Sequence, residues 1–329
     1  MFVTKYTITN SILRHIGIID ASREVINHAP LIPAWEAKFR KDAMERFVHH
    51  GTRLEGNALS DEEVKDILDG KEVFARDRDV QEVLNYRNVL KYIGAAAESI
   101  QPGSAYTFTE DIIFDIHRLT VERLVSPDYL GSYRQRQVVV RNSQTGAISY
   151  TPPPAVEVPY LMEDLLNWLN SPEGRELHPV LKAGIVHYEI ARIHPFVEGN
   201  GRTARAVATL LMFLDGYDIR KFFSLEEYYD ANPLDYYTTL QMVSNQLVID
   251  THDRDLTPWL EYFIRAVAVE FNRVKERVQR ISADARVKDQ LGEQIQLNER
   301  QMLILEYLHR HKEMKNSDFR KVFPDFSDD

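Results

Sequence analysis

The sequence lacks several features that mark common classes of protein. Its 329 residues include no cysteine, so disulfides, thiolate catalysis and cysteine metal sites are all excluded. No apolar run approaches the roughly 18 residues that a membrane span needs, and residues 1–20 lack the apolar core and cleavage site of a secretion signal. We find no internal repeat and no low-complexity segment. A cytoplasmic protein with no membrane segment is the simplest interpretation.

Basic residues are outnumbered by acidic ones. Lysine and arginine total 40 against 50 aspartates and glutamates, which gives a formal net charge of −10. Such a chain repels nucleic acid unless its basic residues are gathered on one face, so DNA binding is possible but disfavoured. Hydrophobic residues make up 44% of the sequence, which is ample for a large core, and the length predicts about two domains.

Glycine and proline, at 14 each, punctuate the chain instead of filling linkers. Between them the dominant period of the apolar residues is helical. We therefore predict helices over 9–27, 33–51, 60–70, 77–99, 109–124, 154–170, 178–193, 201–214, 225–230, 233–245, 257–281, 297–311 and 318–322. The chain is divided into an N-terminal helical region (1–75), a core (76–285) and a C-terminal helical segment (286–329).

One stretch departs from the helical pattern. Residues 137–140 and 147–150 are β-rich, and Gln144-Thr145-Gly146 between them is typical of a turn. We predict a β-hairpin within residues 131–150. The expected fold class is therefore all-α with one small hairpin.

The helix predicted over 257–281 carries apolar residues spaced alternately by four and three. They form one continuous stripe, made of Leu260, Ile264, Val267, Phe271, Val274, Val278 and Ile281. This stripe packs onto the helical body, or it is a self-association surface and the protein is a homo-oligomer.

The sequence changes character after residue 297. Residues 297–311 read as an amphipathic helix, Asn316-Ser317 as the cap of a short helix over 318–322, and residues 326–329 as the cap of a third helix. Two helices and the start of a third resemble the front of a winged-helix unit. A plain helical tail is the alternative.

Residues 194–202, His-Pro-Phe-Val-Glu-Gly-Asn-Gly-Arg, separate two predicted helices. The Gly-Asn-Gly run at 199–201 stands at the N-terminus of the second helix, where free N–H groups and the helix dipole favour a bound anion. Its glycines let the backbone approach a phosphate closely. Arg202 and Arg205, at i and i+3, face the same way beside it. Two guanidinium groups next to an anion site suit a polyphosphate.

Other residues of this loop supply chemistry. Glu198 offers a carboxylate oxygen to Mg²⁺, which binds one or two carboxylates together with substrate phosphates. His194 is a base that titrates near neutral pH. Phe196 is expected to anchor the loop in the core. Each residue alone has an ordinary structural explanation, but together they meet the needs of phosphoryl-type transfer.

These nine residues match in full a known signature, His-Pro-Phe-x-Asp/Glu-Gly-Asn-Gly-Arg, and the chain thereby resembles the Fic family. Arg205 is similar to a second arginine common in that family, and Gly131-Ser132-Tyr133-Arg134 ahead of the hairpin fits the same order. The resemblance covers about residues 9–281. It implies a Fic-type helical core that transfers AMP from ATP to a Ser, Thr or Tyr hydroxyl, as most characterised members do.

The resemblance also implies roles for individual residues. His194 takes the proton of the target hydroxyl, and Glu198 holds Mg²⁺ on the α- and β-phosphates of ATP. The hairpin around 137–140 is the flap on which a target protein docks as an added strand. Tyr237 lies near the adenine, although a core tyrosine is an equally good interpretation.

The rest of the implied ATP site lies at the start of the second helix. Asn200, with the backbone of Gly199 and Gly201, stabilises the oxyanion of the α-phosphate. Arg202 binds the phosphates, and Arg205 faces the γ-phosphate.

A second motif lies upstream, in the region 1–75. Residues 52–57, Thr-Arg-Leu-Glu-Gly-Asn, resemble the inhibitory-helix motif of autoinhibited Fic proteins, Ser/Thr-x-x-x-Glu-Gly/Asn. The family's Ser/Thr position is Gly51 here and Thr52 is one place late, so no helix-stabilising role is transferred to Thr52. The resemblance assigns the inhibitory role to Glu55, and we expect it to pair with Arg205.

Three functions remain in view. The first is an AMP transferase that modifies a protein hydroxyl. The second is a hydrolase that removes AMP from a modified protein, with Glu55 positioning the water. The third is a DNA-binding regulator that uses residues 297–329.

Overall fold

The computed structural model describes residues 2–100, 106–141, 146–248, 253–290, 299–311 and 313–323. Within these ranges the regular structure is helical apart from one two-stranded hairpin, which confirms the all-α prediction. The α-helices are α1 (Asn10–Asn27), α2 (Pro33–Arg53), α3 (Asp61–Leu68), α4 (Asp77–Glu98), α5 (Glu110–Val121), α6 (Val158–Asn170), α7 (Pro172–Glu176), α8 (Pro179–Ile193), α9 (Asn200–Leu214), α10 (Glu226–Ala231), α11 (Pro233–Ser244), α12 (Thr257–Gln290), α13 (Glu299–His311) and α14 (Asn316–Val322). The strands are β1 (Val140–Arg141) and β2 (Ile148–Tyr150).

Capping groups set several helix starts. The Thr9 hydroxyl accepts the N–H of Ile12 at 3.2 Å ahead of α1. At the start of α3, the Ser60 hydroxyl accepts the N–H of Glu63 at 3.3 Å, and the Glu63 carboxylate accepts the N–H of Ser60 at 2.8 Å. These two bonds form a capping box at the start predicted for this helix.

One helix was not predicted, and one predicted cap was wrong. The short helix α7 was not predicted, and Ser171 caps it through its hydroxyl. Helix α14 begins at Asn316, so Lys315 is its N-cap, and Asn316-Ser317 lies inside the helix. The cap expected at residues 326–329 lies outside the described residues.

Helices α8 and α9 form the centre of the core and are buried on almost every face. Trp259, at the start of α12, donates its indole N–H to the carbonyl of Gly184 on α8 at 2.7 Å. A Cβ at Gly184 would lie 3.0 Å from Cδ1 of Phe263, so glycine there allows α12 to pack closely on α8. The loop between α8 and α9 thus begins and ends in the most buried part of the molecule.

The apolar stripe of α12 faces the helical body of the same chain. Its first six members, Leu260, Ile264, Val267, Phe271, Val274 and Val278, are all buried. Packing onto the body is therefore confirmed, and the alternative of a self-association surface is wrong because this stripe is already covered. The helix also continues to Gln290, beyond the predicted end.

The hairpin is shorter than predicted. Val140 pairs with Tyr150 and Arg141 with Ile148 in antiparallel register, with an irregularity between the two pairs. Residues 137–139 are not in a strand, since the side chain of Gln137 donates to the carbonyl of Pro152 at 2.9 Å and replaces ladder bonds there. Of the predicted turn, only Gly146 lies within the described residues, with a positive φ of 69°.

The chain divides into two compact units, Met1–Arg280 and Ile281–Asp329. In the second unit, α13 and α14 are the helices expected there. The winged-helix resemblance of this segment and the three-part division of the chain remain predictions. Among the residues that the structure describes, no helix combines the length and apolar character needed to cross a bilayer.

Candidate active site

The loop of residues 194–202 turns sharply at two places. His194 ends α8 with left-handed backbone angles (φ 52°, ψ 57°), and Gly199 precedes α9 in the same region (φ 80°). A Cβ at Gly199 would lie 2.5 Å from Cγ1 of Val121, so only glycine fits here. The loop therefore presents the N-terminus of α9, with its free N–H groups, close to His194.

Phe196 and Asn200 close the loop from inside. Phe196 is fully buried, as predicted, and stacks on the ring of His117 with 3.7 Å between centroids. The Asn200 amide accepts the N–H of Phe196 at 2.8 Å and donates to its carbonyl at 2.9 Å. Both the oxygen and the nitrogen of the Asn200 side chain thereby hold the loop.

Arg134 holds the beginning of the loop from the hairpin side. Its buried guanidinium donates to the carbonyls of His194 at 2.9 Å, Pro153 at 2.5 Å and Ile193 at 3.4 Å. Its backbone N–H donates to the carbonyl of Pro195 at 2.9 Å. Because lysine lacks this forked geometry, an arginine is required to satisfy these carbonyls together.

His194 carries the features of a general base. Its Nδ1 lies 3.3 Å from the carbonyl of Ala191, which can only accept, so Nδ1 carries the proton and Nε2 has the free lone pair. Burial lowers the pKa of His194 to about 4, with the nearby charge of Arg134 acting in the same direction. The pKa is thus below the near-neutral value expected from the sequence, because the ring is buried, and the imidazole is neutral at neutral pH and can receive a proton.

Arg202 and Arg205 are both buried beside the N-terminus of α9. Within the described ranges, Nε and Nη1 of Arg202 make no hydrogen bond. Its nearest carboxylates are Glu82 and Glu198, at 3.7 and 3.8 Å. Nε and Nη1 of Arg205 also make no hydrogen bond, so both guanidinium groups have donors available beside the N-terminus of α9.

Glu198, the predicted metal ligand, forms an ion pair with an arginine. Its Oε1 forms an ion pair with Arg78 of α4, and Nε of Arg78 lies 3.3 Å from Oε1 of Glu82. Asn57 in turn donates to Oε2 of Glu82 at 3.0 Å. The described residues contain no group of three or more histidine or acidic side chains that could bind a metal alone. The donor set, one carboxylate beside two buried arginines and a helix N-terminus, fits Mg²⁺ bound together with a nucleotide.

Glu55 lies over the anion site, just past the end of α2. Its Oε1 is 2.9 Å from Nη2 of Arg205, and a Cβ at Gly201 would come within 2.6 Å of the same oxygen. Burial by itself would raise the pKa of Glu55, but the charges of Arg205 and Arg202 outweigh it and hold the pKa below its ordinary value. Glu55 is thus an ionised carboxylate between Arg205 and the N-terminus of α9.

Gly51, at the family's Ser/Thr position, is packed under Arg205. Its carbonyl accepts from Nη2 of Arg205 at 3.1 Å, and a Cβ there would lie 2.1 Å from Cε1 of Tyr86. Thr52 is buried and its hydroxyl donates to the carbonyl of Val48 at 2.9 Å, within its own helix. The Tyr86 ring therefore fills the space that a side chain at position 51 would need.

The two tyrosines of α11 differ in environment. Tyr236 is buried and its hydroxyl lies 3.1 Å from Nε2 of His187. Tyr237 is 40% exposed, and its hydroxyl donates to the carbonyl of Leu54 at 3.2 Å. Tyr236 is thus the core tyrosine, while Tyr237 lies beside the segment that carries Glu55.

The comparisons agree with this site. Residues 107–212 match the model of the Fic/DOC family. The match shows a Fic/DOC-like domain over about a third of the chain. That domain runs from just before α5 to the end of α9 and includes the whole loop of residues 194–202.

Curated proteins are similar to part of this chain. The chain is 29% identical over 210 residues to protein adenylyltransferase Fic from Drosophila mojavensis, covering 62% of this chain and 38% of that protein. The corresponding protein from Drosophila grimshawi is 28% identical over 210 residues, covering 62% and 40%. The chain thus spans about two fifths of the length of these relatives.

Solved structures share the Fic/DOC fold. A Fic family protein from Desulfovibrio desulfuricans G20 is 26% identical with a TM-score of 0.66, covering 98% of this chain and 86% of that one. A Fic-domain signalling protein from Bacteroides thetaiotaomicron is 22% identical with a TM-score of 0.64, covering 84% and 97%. The second likeness is one of fold alone.

Three residues of the site were not singled out from the sequence. Arg78 contacts Glu198, Glu82 contacts Arg202, and His117 stacks beneath Phe196 in the Fic/DOC domain. An isolated arginine or glutamate on a helix is usually solvated, so α4 carried no sequence signal for this contact. His117 follows Ile116 on the buried face of α5, and a histidine on an apolar face was the one signal available.

Proposed function

We propose that this protein transfers AMP from ATP to a Ser, Thr or Tyr hydroxyl of another protein. The observation that carries the proposal is that one loop, at the N-terminus of α9, holds both a neutral His194 and a buried Arg202. Nε and Nη1 of that arginine have no hydrogen bond. The names of the curated relatives support the same activity. The family domain and its complete loop motif support it independently of those names.

In the proposed reaction the target hydroxyl attacks the α-phosphorus of ATP. A new O–P bond forms while the bond to the bridging oxygen breaks, and pyrophosphate leaves. The hydroxyl proton passes to Nε2 of His194. Free N–H groups of Gly199, Asn200 and Gly201 stabilise the developing negative charge, and they are preorganised because Asn200 closes the loop.

The remaining roles concern binding. We assign the phosphates to Arg202 and Arg205, and the adenine side to Tyr237. Glu198 would hold Mg²⁺, which supplies charge neutralisation between the phosphates when it is bound. The hairpin around 137–140 is the proposed docking site for the target, where Val139 is exposed beside β1. We place the reaction in the cytoplasm, in keeping with the absence of cysteine.

The described conformation is proposed to be the inhibited one. Glu55 forms an ion pair with Arg205, the proposed phosphate ligand. Arg78 forms an ion pair with Glu198, the proposed metal ligand. A nucleotide bound in this state would have its α-phosphate displaced. A 1 Å misplacement costs about 100-fold in rate, so inhibition need not abolish binding.

A second candidate reaction uses the same groups. Glu55 is ionised and 27% exposed at the anion site, which favours a role in orienting water. In that case the protein removes AMP from a modified hydroxyl. Glu55→Gly would then abolish release of AMP instead of raising incorporation.

The decisive experiment uses labelled ATP and cell lysate. We incubate the wild type, Glu55→Gly and Glu55→Gly/His194→Ala proteins, and identify adducts by mass spectrometry. We expect AMP adducts on hydroxyls with Glu55→Gly, and a loss of roughly 10²- to 10⁴-fold in the double variant because the base is missing. Adducts of another mass, or equal labelling with and without His194, would refute the proposal.

A further inference from the structure

His117 connects the end of the active-site loop to the segment that precedes the hairpin. Its Nδ1 accepts the N–H of Gly131 at 3.1 Å, and its Nε2 donates to the carbonyl of Glu198 at 3.0 Å. The ring is buried and lies nearly parallel to Phe196, with 7° between the planes. One side chain on α5 thereby bridges two backbone groups that are far apart in the sequence.

The two partners fix the state of this ring. A backbone N–H can only donate and a carbonyl can only accept, so the proton of His117 is on Nε2 and the lone pair is on Nδ1. Both nitrogens are satisfied and the ring face is covered by Phe196, which leaves one orientation. A phenylalanine would fill the same space but would leave the Gly131 N–H and the Glu198 carbonyl without these bonds.

The same segment holds the loop at both ends. Arg134, three residues after Gly131, bonds the carbonyl of His194 directly at 2.9 Å. Gly131 reaches the carbonyl of Glu198 through His117. The segment 131–134 therefore sets the backbone at the proposed base and at the proposed metal ligand together.

We propose that His117 is a positioning residue that fixes the backbone of Glu198, and with it the direction of the metal-binding carboxylate. This inference rests on the proposed function, since it needs Glu198 to hold Mg²⁺ with a nucleotide. Groups that orient a metal ligand typically change metal affinity by about 10- to 100-fold when they are lost. The effect expected here is therefore on metal-dependent nucleotide binding more than on folding.

Two amide substitutions separate the two bonds of the ring. The Asn amide overlays the Nδ1 end of histidine, so His117→Asn keeps an acceptor for Gly131 and loses the donor to Glu198. The Gln amide overlays the Nε2 end, so His117→Gln keeps the donor to Glu198 and loses the acceptor for Gly131. Ile113→Val, one turn earlier on α5 at another buried position, is the control for a loss of stability without a change at the loop.

The test measures ATP binding by calorimetry at increasing Mg²⁺ concentrations, with all variants in the Glu55→Gly background. We expect His117→Asn to raise the Mg²⁺ concentration for half-saturation by about tenfold. His117→Gln and Ile113→Val should stay close to the parent, whatever their melting temperatures. If His117→Asn fails to fold, the His117→Gln result still decides, because a shift of about tenfold there contradicts the assigned contact.

The outcomes separate this proposal from the proposed function. If the Glu55→Gly parent binds ATP without any dependence on Mg²⁺, the metal role of Glu198 and the positioning role of His117 both fail, while the search for AMP adducts tests the proposed function separately. If the parent depends on Mg²⁺ and His117→Asn does not shift that dependence, only the role of His117 is refuted. Equal shifts in His117→Asn, His117→Gln and Ile113→Val would reduce His117 to a packing residue.

Discussion

Oε1 of Glu55 and Nη2 of Arg205 are 2.9 Å apart, and the same nitrogen donates to the carbonyl of Gly51 at 3.1 Å. The guanidinium is buried, whereas the Glu55 side chain is 27% exposed. The pair therefore joins a fixed cation to a carboxylate that can leave. An anionic ligand at the N-terminus of α9 would compete with Glu55 for this arginine.

Removal of Glu55 should activate the protein. We expect Glu55→Gly to raise AMP incorporation by about 100-fold, because the α-phosphate is no longer displaced. Glu55→Gly/Arg205→Ala should stay low, because it lacks both the inhibitory contact and the phosphate ligand. Glu72→Gly, a change at an exposed loop glutamate, is the control. Equal AMP incorporation by the wild type and Glu55→Gly would show that Glu55 is an ordinary surface carboxylate.

A side chain at position 51 should destabilise the protein and loosen the inhibitory contact. In Gly51→Ser the new Cβ would meet Cε1 of the buried Tyr86 at 2.1 Å, an overpacking that costs about 1–3 kcal/mol. The shift should also move the Gly51 carbonyl away from Arg205. Urea unfolding and AMP incorporation measure the two effects.

The control for this prediction is another helical glycine. Gly17→Ala on α1 has no atom within 4 Å of the new Cβ, and should stabilise the protein by about 0.5–1 kcal/mol. If Gly51→Ser were as stable as the wild type and equally inhibited, the packing of Tyr86 against position 51 would not restrain α2.

Loss of Arg78 should favour metal binding. Arg78→Ala frees the Glu198 carboxylate, so less Mg²⁺ should be needed for half-maximal ATP binding. The pair is partly exposed, and pairs of that kind contribute about 0.2–1 kcal/mol, so the expected change is only about 1.4- to 5-fold. Arg76→Ala is the matched control, since Arg76 bonds Asp79 and not Glu198. An increased Mg²⁺ requirement in Arg78→Ala would instead make Arg78 a ligand of the nucleotide.

Stability should fall as the pH drops below about 6.5, in part because of His187. Burial lowers its pKa to about 3, and the charge of Arg205 acts in the same direction. The unfolded chain takes up this proton near its ordinary pKa, whereas the native state does not. The contribution of His187 is therefore complete above about pH 6.5 and is lost at about 1.4 kcal/mol per pH unit below it.

A phenylalanine at this position removes the titration but keeps a ring against Trp259, on which His187 now stacks. Between about pH 6.5 and about pH 5, the wild type should lose about 2 kcal/mol more of its unfolding free energy than His187→Phe. Denaturant unfolding at both pH values measures the difference. Parallel pH profiles for the two proteins would show that His187 takes up its proton as readily in the native state as in the unfolded chain.

The local parts of the structure could be predicted from the sequence. The helix start at Ser60 and the loop of residues 194–202 each depend on residues that are close together in the sequence, so the sequence alone predicts both. The contacts of Arg78 with Glu198 and of Gly131 with His117 join different helices and segments, and no local pattern encodes them. The strand expected at 137–139 is absent for the same reason, because the side chain of Gln137 bonds the carbonyl of Pro152, after the hairpin.

His194 has a left-handed backbone, with φ at 52°, although it carries a full side chain. This conformation costs a non-glycine residue on the order of 1 kcal/mol, and glycine adopts it freely. Natural selection must therefore retain histidine here against a conformational preference for glycine. If His194 is the base as proposed, a descendant that no longer needed it would relieve backbone strain by the same mutation that removed the base. The residue at position 194 should therefore distinguish catalytically active from inactive descendants of this chain.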